Sequence, residues 1–193
     1  MGEKNNLSVI NMNKCDTSFK DQIKELSGVN ASLCYHCGSC ANGCPFTNLM
    51  DYFPNGVIRM VQMGMRSAAL ESSTIWVCVG CNTCAVQCPM AINIPAVMDS
   101  LCHIALKERV KVAEPDILNF HQEFLNSVER YGRSHKLEIM LRYKIKTKDW
   151  FGDMIVGLKL LLKRKLHIIP SRINNSLEFK NLLGLKKQER YYG

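Results

Sequence analysis

CYHCGSCANGCP (34–45), FTNLMDYFPNGVIRMVQMGMRSAALESSTIWV (46–77) and CVGCNTCAVQCP (78–89) run on from one another, and the architecture follows from them. The first and third strings are two copies of C-x2-C-x2-C-x3-C-P, the spacing that ligates cubane [4Fe–4S] clusters. Three cysteines set three residues apart in a tight loop reach three corners of a cube, and a fourth thiolate has to come from elsewhere. In two-cluster arrangements the last cysteine of each run serves the other cluster. This assigns Cys34, Cys37, Cys40 and Cys88 to cluster 1, and Cys78, Cys81, Cys84 and Cys44 to cluster 2. The 33 residues between Cys44 and Cys78 show no period-2 strand pattern. Instead, Pro54 suits a first helical turn, Val57, Ile58, Val61 and Met65 share a face, Gly64 weakens the helix end, and Ser67 to Glu71 suit another turn. The predicted fold is all-α, an α-helical ferredoxin with two [4Fe–4S] clusters and additional C-terminal helices, not a βαβ domain.

The small residues of the loops agree with cluster ligation. Gly38, Ser39 and Ala41, with Gly80, Asn82, Thr83 and Ala85, let backbone N–H groups approach the sulfides, and such hydrogen bonds tune potential. Pro45 and Pro89 fix φ after the last ligand of each run. Zinc is the nearest competitor, a zinc-bound interaction module being the alternative of a different functional class, but structural zinc sites use pairs of ligands rather than triplets with a trailing C-P. Disulfides and redox-active C-x-x-C thiols fit less well: no charged-then-apolar signal peptide opens the chain, and no βαβ pattern surrounds the cysteines.

Outward from the arrays, Asp16 or Thr17 is placed to cap a short helix ending near Gly28. Asn93 and Pro95 open a helix with an apolar stripe of Ala96, Val97, Leu101, Ile104, Ala105 and Leu106, running to about Lys111. Pro115 begins another, with Ile117, Leu118, Phe120, Phe124, Leu125 and Val128, closed by Gly132, and both are expected to pack the clusters. A shorter helix over Leu137 to Tyr143, an amphipathic one over Trp150 to Leu166 ended by Pro170, and a terminal one over Leu177 to Leu185 complete the pattern. The organisation read from this is an N-terminal segment with a short helix (1–28), the cluster domain (29–112) and a helical, basic, partner-docking region (113–193).

The 193-residue chain carries a formal charge of +8, yet the part from Arg133 onward holds a net +10, leaving −2 for the rest. The basic excess belongs to the tail. It lacks the aromatic interleaving or reading motif of a nucleic-acid binder, so no nucleic acid is expected. Met154 to Leu162 is short and broken by Lys159, so no transmembrane span is expected, although the amphipathic segment's basic side suits peripheral contact with an anionic membrane surface. A cytoplasmic location is expected.

LCYHCGSCANGCP (33–45), WVCVGCNTCAVQCP (76–89) and the tail string LKLLLKRKLHIIPSRI (158–173) resemble the C subunit of heterodisulfide reductases and its bacterial homologues. The resemblance covers roughly residues 30–175. It implies an electron-transfer subunit with a fold similar to the C-terminal half of succinate dehydrogenase iron–sulfur subunits. Its partners are then a flavin-containing A-like subunit and a B-like subunit whose CCG motifs hold the disulfide-reducing clusters. This chain has neither a CCG pair nor a Gly-x-Gly-x-x-Gly run. The role implied is therefore a non-catalytic relay in a CoB-CoM heterodisulfide reductase-like oxidoreductase, with no substrate chemistry of its own. The alternative is an iron–sulfur subunit of a quinone-linked or succinate dehydrogenase-like complex. Some relatives fuse this module to a membrane-spanning, quinone-interacting domain, which is not expected here.

The remaining candidates read as ordinary residues. Cys102 is expected to be a buried thiol, Cys15 an incidental one, and His36 an outer-shell group beside cluster 1. Tyr35 and Trp76 are expected to shield the clusters by packing, and His103, His121, His135 and His167 lack ligand spacing. Anaerobically purified protein should contain about eight iron and about eight acid-labile sulfide per chain. A colourless sample carrying two zinc would overturn the cubane reading.

Overall fold

The computed structural model describes residues 15–147, and the expected helices over 150–166 and 177–185 lie outside them. Among the described residues there are nine α-helices and no β-strand, the all-α outcome expected from the insert. They are α1 (Phe19–Ser27), α2 (Ser39–Asn42), α3 (Pro54–Gln62), α4 (Arg66–Leu70), α5 (Thr74–Val77), α6 (Thr83–Val86), α7 (Ile94–Lys107), α8 (Pro115–Tyr131) and α9 (Lys136–Thr147). Short 3-10 turns lie at Ala31–Leu33 and Thr47–Leu49. The chain divides between Ala113 and Glu114 into two units.

The first unit is built around α7. Its N-terminus is capped as expected: the Asn93 side chain accepts from the Ala96 N–H at 3.2 Å, and Pro95 sits in the first turn, where its missing N–H costs nothing. Val97, Met98, Leu101 and Ile104 are buried and meet Phe19 and Ile23 of α1, Val57, Ile58 and Val61 of α3, Leu70 of α4 and Ile75 of α5 in one core. The helix stops four residues short of Lys111. Arg109 adopts a left-handed φ of 55°, and Val110 N–H returns to the Ala105 carbonyl at 2.9 Å, a Schellman ending reached without glycine.

Two polar clusters hold the small helices in place. Arg66 bonds Gln22 at 2.9 Å and Asp16 at 3.3 Å, pairs with Glu108 beyond α7, and stacks over the Phe19 ring at 4.9 Å, tying both ends of the core to α4. Gly64 ends α3 at a φ of 68°, and its carbonyl accepts from Asp16 N–H at 2.9 Å. A Cβ here would overlap the Asp16 backbone, so glycine is required by both conformation and space.

Asp51 organises the entry to the second array. Its carboxylate accepts from the N–H groups of Tyr52, Ser73 and Thr74 at 2.9–3.0 Å and from the Ser72 hydroxyl at 2.8 Å. The Thr74 hydroxyl lies 2.7 Å from the same carboxylate. Partial burial opposes the charge, but these hydrogen bonds, from Thr74, Ser72 and the backbone of Ser73 foremost, outweigh it and hold the carboxyl below its ordinary value. In effect Asp51 is a long-range N-cap for α5, which leads directly into Cys78.

In the second unit α8 and α9 pair with each other, and Gly132 closes α8 in the left-handed conformation with its N–H 2.7 Å from the Val128 carbonyl. The apolar stripe read for α8 is largely exposed at Phe120, Phe124 and Leu125, whereas Glu123 and Ser127 are buried. The exchange is held together by polar contacts: Lys146 pairs with Glu123 at 2.9 Å, and the Ser127 hydroxyl accepts from His135 N–H at 2.9 Å. Helix α9 is longer than the expected Leu137 to Tyr143 span, extending from Lys136 to Thr147.

Replacing Asp51 by Ala should destabilise the first unit by about 1–2 kcal/mol, since charged hydrogen bonds are lost but the group is partly solvated. Because the folded carboxyl titrates below its unfolded value, its contribution is complete above about pH 4 and is lost as the pH falls further. Chemical denaturation of wild type and variant should therefore differ at pH 7 and converge in strong acid.

Candidate metal centre

The two cysteine arrays fold as near-copies. Cys34 and Cys78 each follow a helical turn in an extended conformation, with φ and ψ of −71° and 120° in one and −66° and 112° in the other. Two residues on, His36 and Gly80 both take left-handed φ, at 61° and 64°. Gly38 and Asn82 do so again, at 81° and 61°, and each opens a one-turn helix, α2 or α6. One left-handed position in each array is thus held by a residue with a side chain, at a cost of roughly 1 kcal/mol relative to glycine.

Equivalent cysteines meet equivalent surroundings. Cys37 and Cys81 are exposed, and each sulfur lies 3.4 Å from a hydroxyl two residues on, Ser39 or Thr83. That hydroxyl, and then the N–H of the same residue, stabilise the thiolate and hold both thiols below their ordinary value. Cys40 and Cys84 lie on the buried faces of α2 and α6. Burial, reinforced by neighbouring cysteines, pushes both thiols up, Cys84 to about 11. A metal that binds thiolates would offset that cost directly.

Helices α2 and α6 contact each other, bringing the arrays together. Cys44 leaves the first array and joins Cys78, Cys81 and Cys84 around one cavity, whose other walls are largely apolar: Phe46, Met50, Pro54, Val79, Ile94, Pro95 and Met98. Burial raises the Cys78 thiol first, and the largest charge effect that adds to this comes from Cys44. On the other side, the Tyr35 hydroxyl is raised by desolvation and then by the hydrogen bond and charge of Cys37, with smaller effects of Cys88 and Cys34. Four thiols around one cavity, in the C-x2-C-x2-C-x3-C-P spacing, suit the corners of a polynuclear cluster.

Trp76 is buried just ahead of the second array, and Tyr35, although 59% exposed, hydrogen-bonds Cys37 of the first. The Cys102 sulfur lies 3.1 Å from the Ile75 carbonyl, and burial pushes its thiol up to about 12, so it stays a neutral packing group. Cys15 is half-buried near the start of α1. His36 stands just outside the first array: its Nε2 lies 2.7 Å from Gln62 Oε1 and its Nδ1 4.0 Å from the Cys34 sulfur. Gln62, at the end of α3, also donates to the carbonyls of Ala31 and Cys34 at 2.9 and 3.0 Å. Nothing in the local sequence marks Gln62, since its partners lie 26 to 31 residues away.

A family model described as a 4Fe-4S dicluster domain matches residues 30–92. Over 154 residues the chain is 30% identical to a heterodisulfide reductase C-subunit-like protein of Archaeoglobus profundus, covering 77% of this chain and 82% of that one. It is 30% identical over 158 residues to the C subunit of the ferredoxin:CoB-CoM heterodisulfide reductase of Methanosarcina acetivorans, covering 81% of this chain and 59% of the relative. With the C subunit of the H(2):CoB-CoM heterodisulfide,ferredoxin reductase of Methanothermobacter marburgensis it shares 28% identity over 87 residues, 45% of this chain and about half, 47%, of the relative's length.

The paired hydroxyls give a local test. Ser39→Ala should lower the midpoint potential of the cluster nearest Cys37, and Thr83→Val that of the cluster nearest Cys81, because each removes a donor to a ligand sulfur. Potentiometric EPR titration reads both, with little change in the other cluster of each variant.

Proposed function

The chain belongs to the family of heterodisulfide reductase C subunits, and on that premise we propose that it relays electrons through two [4Fe–4S] clusters in a heterodisulfide reductase-like complex, between a flavin-containing A-like protein and a CCG-containing B-like protein. Cys34, Cys37, Cys40 and Cys88 hold cluster 1, and Cys78, Cys81, Cys84 and Cys44 hold cluster 2. The observation that carries this reading is the cavity that Cys44 shares with Cys78, Cys81 and Cys84, which lie beyond the 33-residue insert in sequence. When bound, such clusters supply one-electron redox chemistry without making or breaking a bond in a substrate.

The chain's own residues do the rest. The Ser39 and Thr83 hydroxyls, 3.4 Å from the exposed Cys37 and Cys81 sulfurs, would donate to them as ligand thiolates, and Ile94, Pro95 and Met98 of α7 keep one wall of the cluster 2 cavity apolar. Cys40 and Cys84, buried in α2 and α6, lie on the sides of the two arrays that face each other, which supports a short route between the clusters. The exposure of Cys37 and Cys81 leaves each cluster one edge open to a partner protein. The basic region from Arg133 onward is the docking segment in this reading, in a cytoplasmic complex, with contact to an anionic membrane surface as a further role for its amphipathic stretch. Among the described residues no helix is long and apolar enough to cross a membrane.

Two measurements test this. In Cys44→Ser, EPR and iron content should show damage mainly to the cluster held by Cys78, Cys81 and Cys84; damage mainly to the cluster of its own array would refute the crossed ligation. Affinity purification of the full chain from its native host should bring down a flavoprotein and a CCG-motif protein, and the isolated chain should reduce no disulfide substrate.

A further inference from the structure

The two arrays share one backbone course and differ in residue at both left-handed positions; at the first of them His36 stands where the second array has Gly80. Glycine is the unstrained residue at such a φ, so the histidine side chain is kept against a conformational preference. Its surroundings give a reason. Both N–H donors of the Gln62 side-chain amide are committed to the carbonyls of Ala31 and Cys34, which fixes the orientation of the amide and turns Oε1 toward the imidazole. With only an acceptor on offer, His36 Nε2 must carry the hydrogen of that 2.7 Å bond. The ring is therefore locked in orientation, and its other nitrogen is left facing the Cys34 sulfur at 4.0 Å. The second array has no counterpart to this arrangement, because Gly80 has no side chain.

We propose that His36 and Gln62 form a tuning latch specific to cluster 1, in which Gln62 is a positioning residue that holds the imidazole against the Cys34 sulfur, so that this pair sets cluster 1 apart from cluster 2 in potential. The inference rests on the ligand assignment proposed above. An imidazole dipole held at fixed orientation a few ångströms from a ligand sulfur acts on the charge the cluster gains on reduction, the same lever by which outer-shell groups tune metal sites. Three of the Gln62 hydrogen bonds also tie the end of α3 to the segment that carries Cys34, while Arg59 donates to the same Oε1 at 3.4 Å.

The test uses the full-length chain, purified anaerobically with its clusters, and compares wild type with His36→Gly, Gln62→Met and the double variant by potentiometric EPR titration. His36→Gly places in the first array the residue the second already uses at this φ, so it relieves backbone strain rather than adding it. It should change the reduction equilibrium of cluster 1 about three- to tenfold, tenfold being about 59 mV for one electron, and alter its EPR g-values while cluster 2 keeps both. Gln62→Met should shift cluster 1 in the same sense, and the double variant should shift it no further than His36→Gly alone, because Gln62 acts through the ring. Unchanged potentials in His36→Gly, or equal shifts in both clusters, would overturn the latch; so would full additivity in the double variant. A wild-type chain without two cubane signals would instead overturn the ligand assignment beneath it. If Gln62→Met loses its clusters, His36→Gly decides the question alone.

Discussion

Four thiolates must converge on each cubane, and in the ligation proposed here three come from one array and the fourth from the other. The contact of α2 with α6 brings the two arrays together, and the remainder of the first unit keeps those two short helices in register. Neither would be stable alone, since one turn of helix pays the nucleation cost with almost no propagation. Their positions come from what flanks them: the Asp51 cap that starts α5 ahead of Cys78, the Gln62 amide that grips the backbone at Cys34, and α7, whose N-terminus follows Cys88 closely and whose buried face carries the core.

The near-symmetry of the arrays makes their differences informative. Hydroxyls sit at matching positions beside Cys37 and Cys81, and buried thiols occupy matching positions in α2 and α6, so the two sites begin electrostatically alike. They diverge where one array keeps an imidazole and the other a glycine, and where the cavity holding Cys44 gains an apolar wall from α7.

Much of this is legible in the sequence because it depends on local covalent geometry. The cysteine spacing names the donors, Pro54 and Asn93 mark helix starts, and Gly28 and Gly132 mark helix ends in the conformation only glycine takes readily. Other features are hidden because their partners are remote. Nothing local marks Arg66, whose partners Asp16, Gln22 and Glu108 lie over forty residues away, or Asp51, to which Ser72, Ser73 and Thr74 return from about twenty residues on. The α7 terminus escapes sequence reading for a different reason: Arg109 adopts a left-handed φ that nothing in its side chain advertises.

By itself the sequence determined that this chain presents two cubane-type cysteine arrays, that the insert between them is helical, and that a basic segment follows, since spacing, periodicity and charge are properties of order along the chain. Only the tertiary structure decided that Cys44 shares a cavity with the second array, that Tyr35 stays exposed while Trp76 is buried, and that Gln62 locks His36 beside Cys34. Those facts depend on the packing of α2 on α6 and of α3 on the first loop, contacts between residues dozens of positions apart, whose geometry is set by the shape of a common core and is not encoded in any one segment.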